Sequence, residues 1–423
     1  GLEVLFVEQN EVPKLNLQLY VGGSNAAVPA DKQGVADFMA ELLTKGTETR
    51  TAAEIAQEIE ATGGSISYDA GLEWTSLSVD APTTDAELAY EILADTALNP
   101  VFPENEFEVI RDQTLTFLEQ SEVDPDTLAN HQFGRLAYGG HPYGYYMERE
   151  TVENLSRDDV VEFYETYYKP NNALLVVVGD TTFEDVQSQV EATFGEWEDG
   201  DVPDFLDYPV AELGDTSVVY LVDRPDSEQA TIQVGNQGIN ARNPDRYALS
   251  VVNTVLGSGS TSRLFKNLRD ENGYTYGVYS RFGKPNDTST FRALTSVAQE
   301  NTADAIEEIL YELDLIRNNE IPDEELTAAK GRLTGNFALS IEDPADFAAQ
   351  ISNRYLTGVP VDELTIYLET LNAVTADEAL DAAATYIDSE QPIIVVVGDA
   401  EILQSQLEEL GEVVVVDGDG NPL

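Results

Sequence analysis

The sequence predicts an α+β fold built from two similar domains, and three observations carry that prediction. The first is an internal repeat. VVVGD stands at Val176–Asp180 and again at Val395–Asp399, an offset of 219 residues. The same offset, without a gap, relates Pro103 to Pro322, Glu106 to Glu325, Asp124-Pro125 to Asp343-Pro344, Arg135 to Arg354 and Ser156 to Thr375. So many matches at one spacing mean duplication. The second is the order of elements in each copy. Strand-like segments come early and a helical region follows. A capped helix, SRDD at Ser156 and TADE at Thr375, then delivers a last apolar strand. That order suits helices packed on a sheet. The third is a break between the copies: residues 198–215 (EDGDVPDFLDYPVAELGD) are acidic and proline-rich and read as a linker. The predicted domains are therefore 1–197 and 216–423.

Length and composition agree with two cores. A chain of 423 residues exceeds what one ordinary core supports, and its 42 % hydrophobic content, with 20 Tyr and 15 Phe, leaves ample apolar material to bury. The charge is extreme: 79 Asp and Glu against 22 Lys and Arg, a formal net charge of -57. Such a surface repels nucleic-acid phosphates and anionic lipid. Adaptation to a salty, halophilic milieu accounts for it more simply than a specific cation store, because high ionic strength shortens the reach of self-repulsion.

With no cysteine, disulfides, thiolate metal sites and cysteine nucleophiles are excluded together, and the redox compartment is left open. Only His131 and His141 offer imidazole. Apolar runs such as the one ending at Val178 fall far short of a bilayer span, so a soluble protein is expected. The chain opens at Gly1 without a Met and enters a strand-like run at Leu2–Val7, which reads as native strand after removal of an upstream segment. A periplasmic or secreted location is favoured over the cytoplasm on that ground.

GVADFMAELLTKGTETR (Gly34–Arg50), HPYG (His141–Gly144), YYKPNNALLVVVGD (Tyr167–Asp180) and SRLFKNLRDENGYTYGVYS (Ser262–Ser280) together resemble the pitrilysin family of zinc peptidases, the inverzincins close to mitochondrial processing peptidase. The closing GEVVVVDGDGNPL is also similar. The resemblance implies two homologous domains, each a mixed, mostly antiparallel sheet packed against helices. It also implies a site. Active members carry H-x-x-E-H on a helix, two imidazoles on one face for zinc and a Glu to activate water. Aligned on Gly34 and on Lys45-Gly46-Thr47, those positions are Asp37, Ala40 and Glu41. The family's third ligand, a Glu in the helix before Asp124-Pro125, falls near Thr116 or Phe117. Asp37 and Glu41 share a helix face and suit either a hard cation held through oxygen or, more simply, a solvated or salt-bridged acidic face. Ala40 has no group to take a proton from water, which argues against hydrolysis by this chain alone and against an enzyme using another metal.

By the same resemblance, an Arg in the helix and a Tyr seven residues later, here Arg269 and Tyr276, grip the substrate backbone and steady the oxyanion opposite zinc. Read as residues alone, an Arg in so acidic a chain pairs with a carboxylate, and a strand Tyr packs in a core. SRLFKNLRD is expected as a helix stopped at Asn272-Gly273, followed by a strand carrying Tyr274, Tyr276 and Val278 on one face. GSGSTSR (Gly257–Arg263) lacks the Lys of a phosphate loop and reads as a turn and helix cap. His141 is given no catalytic role. The implied protein is a subunit without zinc of its own. It binds extended peptide at a sheet edge and completes the site of an H-x-x-E-H partner that holds the zinc, in a heterodimer. The partner could be a separate chain or an upstream domain of the same precursor. A structural subunit resembling respiratory-complex core proteins is the alternative.

Overall fold

The computed structural model describes all 423 residues. Eleven strands form two sheets. In the first, β1 (Glu3–Glu8), β2 (Lys14–Gly22), β3 (Ser65–Ala70), β4 (Trp74–Pro82) and β5 (Ala173–Gly179) lie in the order β1-β5-β2-β4-β3. In the second, β6 (Val218–Asp223), β7 (Gln229–Gln237), β8 (Thr275–Phe282), β9 (Thr290–Ala298), β10 (Ile393–Gly398) and β11 (Glu412–Val416) lie in the order β11-β6-β10-β7-β9-β8. Apart from β11, the second order repeats the first, each strand standing where its counterpart does. β1 pairs with β5 in parallel and β6 with β10 in parallel, while the remaining neighbours of each five-strand core are antiparallel. The duplication read from residue spacing is thus a duplication of topology.

The two copies of VVVGD form β5 and β10, whose residues are buried throughout, as unbroken apolar runs covered on both faces are. Each is delivered by a helix starting in a full capping box. Ser156 accepts from the Asp159 N–H while Asp159 accepts from the Ser156 N–H; Thr375 and Glu378 do the same. One face of the first sheet builds a core from Leu15, Leu17, Leu19, Leu77, Val79, Leu175 and Val177 against Phe38, Met39 and Leu42 of the helix Val35–Leu42. The second sheet builds its own from Ile232, Val234, Phe291, Ala293 and Val396 against the helix Arg246–Gly257.

The compact units are composed differently from the halves 1–197 and 216–423. One comprises residues 1–119, 145–208 and 339–353, the other residues 120–144, 209–338 and 354–423. The helices Pro125–Tyr138 and Pro344–Leu356, equivalent under the 219-residue repeat, have changed places. Each covers the polar face of the sheet it has joined. Asn16 and Gln18 of β2 are buried polar residues: Asn16 donates to Asp80 at 2.9 Å, and the Gln18 amide reaches the Ala345 carbonyl at 3.4 Å. In the other unit Gln233 of β7 donates to Asn130 Oδ1 at 3.1 Å and Gln237 to the Ala137 carbonyl at 2.7 Å. A buried amide needs a partner; β4 supplies it to Asn16, and the incoming helix supplies it to Gln18, Gln233 and Gln237. Residues 198–215 form no helix or strand but are anchored: the Phe205 ring meets Trp74 edge-on at 5.5 Å, and the Gly214 N–H donates to the Leu136 carbonyl at 2.7 Å.

Candidate functional site

Gly34, at φ 105°, turns the chain into the helix Val35–Leu42 that carries Asp37, Ala40 and Glu41. Ala40 is 0 % exposed, its methyl packed in the core. Asp37 is largely buried, and burial pushes its carboxyl up to about 6 against a hydrogen bond with Asn25, with Asp69 of β3 adding repulsion. Glu41 turns elsewhere, pairing with Lys45 at 3.0 Å and hydrogen-bonding the Tyr68 phenol, which burial and Glu41 together push up to about 12. Thr116 donates to the carbonyl of Asp112 one turn back, at 2.8 Å, and the Phe117 ring is 67 % exposed. No three His, Cys, Asp or Glu side chains are gathered to hold a metal. These residues do not fit zinc: there is no imidazole, one carboxylate is held in a site that disfavours its charge, the other is paired with a lysine, and Ala40 offers no base.

Arg269 and Tyr276, by contrast, are brought together. The short helix Arg263–Phe265 widens into a π turn over Lys266–Glu271, closed by the Asn272 N–H donating to Asn267 O at 3.0 Å; Gly273 at φ 69° then ends it. β8 begins with an irregularity, its register against β9 shifting between Thr275 and Val278. The Thr275 hydroxyl donates to Ser296 O at 2.8 Å and accepts from the Gly277 N–H at 3.1 Å, while Thr295 donates to Gly277 O at 2.9 Å. The bulge corrects the expectation that Tyr276 and Val278 share a face. Val278 is buried, whereas Tyr276 is 89 % exposed. The Arg269 guanidinium lies 4.7 Å from the Phe265 ring and 5.0 Å from the Tyr276 ring and makes no ion pair. Neither the carboxylate partner nor the core position that the bare residue types suggest is what these side chains adopt.

Tyr276 opens onto a cavity of about 740 Å³ on the face of the second sheet, lined also by Asn130, Thr231, Gln233, Tyr279 and Arg281. β8 is one edge strand of that sheet, opposite β11, and β3 one edge of the other, opposite β1, so each offers backbone groups to an extended chain. The arginine that lines this cavity, Arg281, was not singled out in the sequence. Its only sequence signal is an outward position in β8, which needs the strand register to interpret.

The imidazoles lie outside this chemistry. His141 is wholly buried; its Nδ1 accepts from the Tyr143 N–H at 3.1 Å, so Nε2 carries the proton and donates to Asp287 at 2.9 Å. Burial, aided by Arg135, holds His131 down to about 4. In the GSGSTSR turn, the Ser262 hydroxyl donates to Gly259 O at 2.7 Å rather than accepting from a helix N–H, so the expected side-chain cap is absent.

A duplicated α+β chain, with the helix Val35–Leu42 in one unit and the Arg269–Tyr276 pair in the other, has the architecture that the resemblance implies. Comparison with known proteins agrees. The family model described as insulinase (peptidase family M16) matches residues 3–149, and the one described as peptidase M16 inactive domain matches residues 154–333. The chain belongs to peptidase family M16. An uncharacterised zinc protease of Streptomyces coelicolor is 28 % identical over 386 residues, 89 % of this chain and 83 % of that protein. A solved peptidase M16 inactive domain from Pseudomonas fluorescens superposes with a TM-score of 0.87 at 22 % identity, covering 94 % of this chain and 96 % of that one. A chain of complex III from Candida albicans superposes at 0.77 with 14 % identity, covering 98 % of each.

Proposed function

We propose that this chain is the zinc-less subunit of a two-subunit metallopeptidase. It holds extended peptide on the second unit and completes the site of a homologous H-x-x-E-H subunit with Arg269 and Tyr276. The observation that carries this reading is the contrast between the two units: the helix Val35–Leu42 holds no imidazole and a buried Ala40 in the segment that resembles the zinc motif, while the Arg269 guanidinium lies against the exposed Tyr276 ring, which lines a cavity. A planar, permanently charged guanidinium and a phenol are suited to an oxygen that gains charge as a peptide bond is attacked. Zinc and its activated water belong to the partner. The alternative, an assembly subunit with no role in proteolysis, has the fold likeness to a complex III chain behind it and makes Arg269 dispensable.

Peptide cleavage by this chain alone, by a co-expressed H-x-x-E-H homologue alone and by their mixture separates the two. Cleavage by the mixture only is expected, with Arg269→Ala and Tyr276→Phe lowering its rate about 100-fold without loss of association. Equal cleavage by the homologue alone, or variants without effect, would make this chain a scaffold.

A further inference from the structure

Arg281 of β8 and Arg292 of β9 stand directly opposite each other in the sheet. Residues so placed share a face, and like charges there repel. Arg292 is only 7 % exposed; its guanidinium lies 4.3 Å from the Phe133 ring and donates to Thr290 Oγ1, Asn130 Oδ1 and Gln233 Oε1. Asn130 and Gln233 line the 740 Å³ cavity, and so does Arg281. Arg281 is exposed and makes no ion pair or hydrogen bond. Carboxylates outnumber cations in this chain 79 to 22, so a cation has many partners to choose from. Asp126 lines the same cavity without pairing with it. An exposed guanidinium without a carboxylate partner at this cavity, in a protein otherwise rich in acid, leaves positive potential where a ligand would lie.

We propose that this face of the cavity is a specificity subsite: Arg281, opposite Arg292 in the sheet, receives a carboxylate of the bound peptide. The proposal rests on the peptide-binding reading above and adds the substrate class to it. The carboxylate is either an acidic side chain or the peptide's C-terminus, since both present the same planar pair of oxygens to a guanidinium fork. The overall negative charge opposes acidic ligands at long range. At physiological ionic strength, however, the screening length is about 8 Å, so a guanidinium in contact outweighs distant carboxylates.

The test is fluorescence anisotropy of the full chain with a labelled, extended, otherwise uncharged and C-terminally amidated peptide, carrying one Glu or one Gln at successive positions. A further arm replaces the amide by a free carboxylate. At one position, or with the free C-terminus, binding is expected to tighten about ten-fold over the neutral peptide. Arg281→Gln should abolish that gain while leaving the affinity for the neutral peptide unchanged, and Arg281→Lys should restore part of it. Which arm shows the gain identifies the source of the carboxylate. If wild type binds neutral and acidic peptides alike, or Arg281→Gln weakens all of them equally, the subsite is wrong although peptide binding stands. If no peptide binds, the peptide-binding reading fails and takes the subsite with it.

Discussion

Asp37 of the helix Val35–Leu42 behaves as a carboxyl that folding makes harder to ionise. Its pKa rises from an ordinary 3.8 to about 6 because burial disfavours the charged form and Asp69 repels it. The folded state therefore binds a proton more readily than the unfolded one. Above the folded value both states are ionised and the penalty is complete; it fades as pH falls from 6 towards 4. Asp37→Asn removes it. The variant is expected to be more stable than wild type at pH 7.5 by on the order of 1 to 2 kcal/mol, with the gain gone by pH 4, as read from denaturant midpoints at the two pH values. An equal gain at both would mean that packing, not ionisation, is responsible. Ala40 invites the converse substitution. It sits in a fully packed position, so Ala40→Glu buries a charge without a partner and is expected to cost several kcal/mol rather than to create a base, a loss visible as a lowered Tm.

At the scale of elements, what the sequence reveals is what short-range chemistry determines. The capping boxes at Ser156 and Thr375 and the apolar strands after them follow from residues a few positions apart, and both form as read. The helix carrying Asp37, Ala40 and Glu41 also forms where the sequence places it. What escapes is whatever depends on pairing across long stretches of chain. The exchange of helices Pro125–Tyr138 and Pro344–Leu356 is invisible because the repeat marks them as equivalent without saying which sheet each covers. The bulge in β8 escapes because its hydroxyl partners, Thr275 and Thr295, meet only once β9 is in register. That bulge turns Tyr276 outward, so Thr275→Val tests its role. Loss of the hydroxyl is expected to cost about 1 kcal/mol of stability. It should also lower cleavage by the two-subunit mixture nearly as far as Tyr276→Phe does, although the phenol remains. A stability loss with full activity would mean that the Tyr276 ring needs no such positioning.

For the molecule as a whole, the charge of -57 and the division into two separately built cores set the conditions under which the chain stays folded. The ion pairs it makes are few beside 79 carboxylates. Several cations are also spent on backbone carbonyls, such as Arg157 on Val101 and Phe102 and Lys330 on Asn372 and Val374. Most of the acid thus remains as mutual repulsion, which unfolding relieves by spreading the charges apart. Salt acts on that term directly. The screening length falls from about 10 Å at 0.1 M to about 3 Å at 1 M. Raising sodium chloride over that range is expected to raise the Tm steadily, and potassium chloride should do the same, since screening depends on ionic strength rather than on the identity of the cation. If the rise instead saturates at millimolar calcium and is absent with monovalent salt, the carboxylates bind ions at sites and the reading of the surface as diffuse, salt-relieved repulsion is wrong. A Tm insensitive to both would mean that the unfolded chain keeps its charges as close as the folded one does, so that the acidity carries no cost to the fold at all.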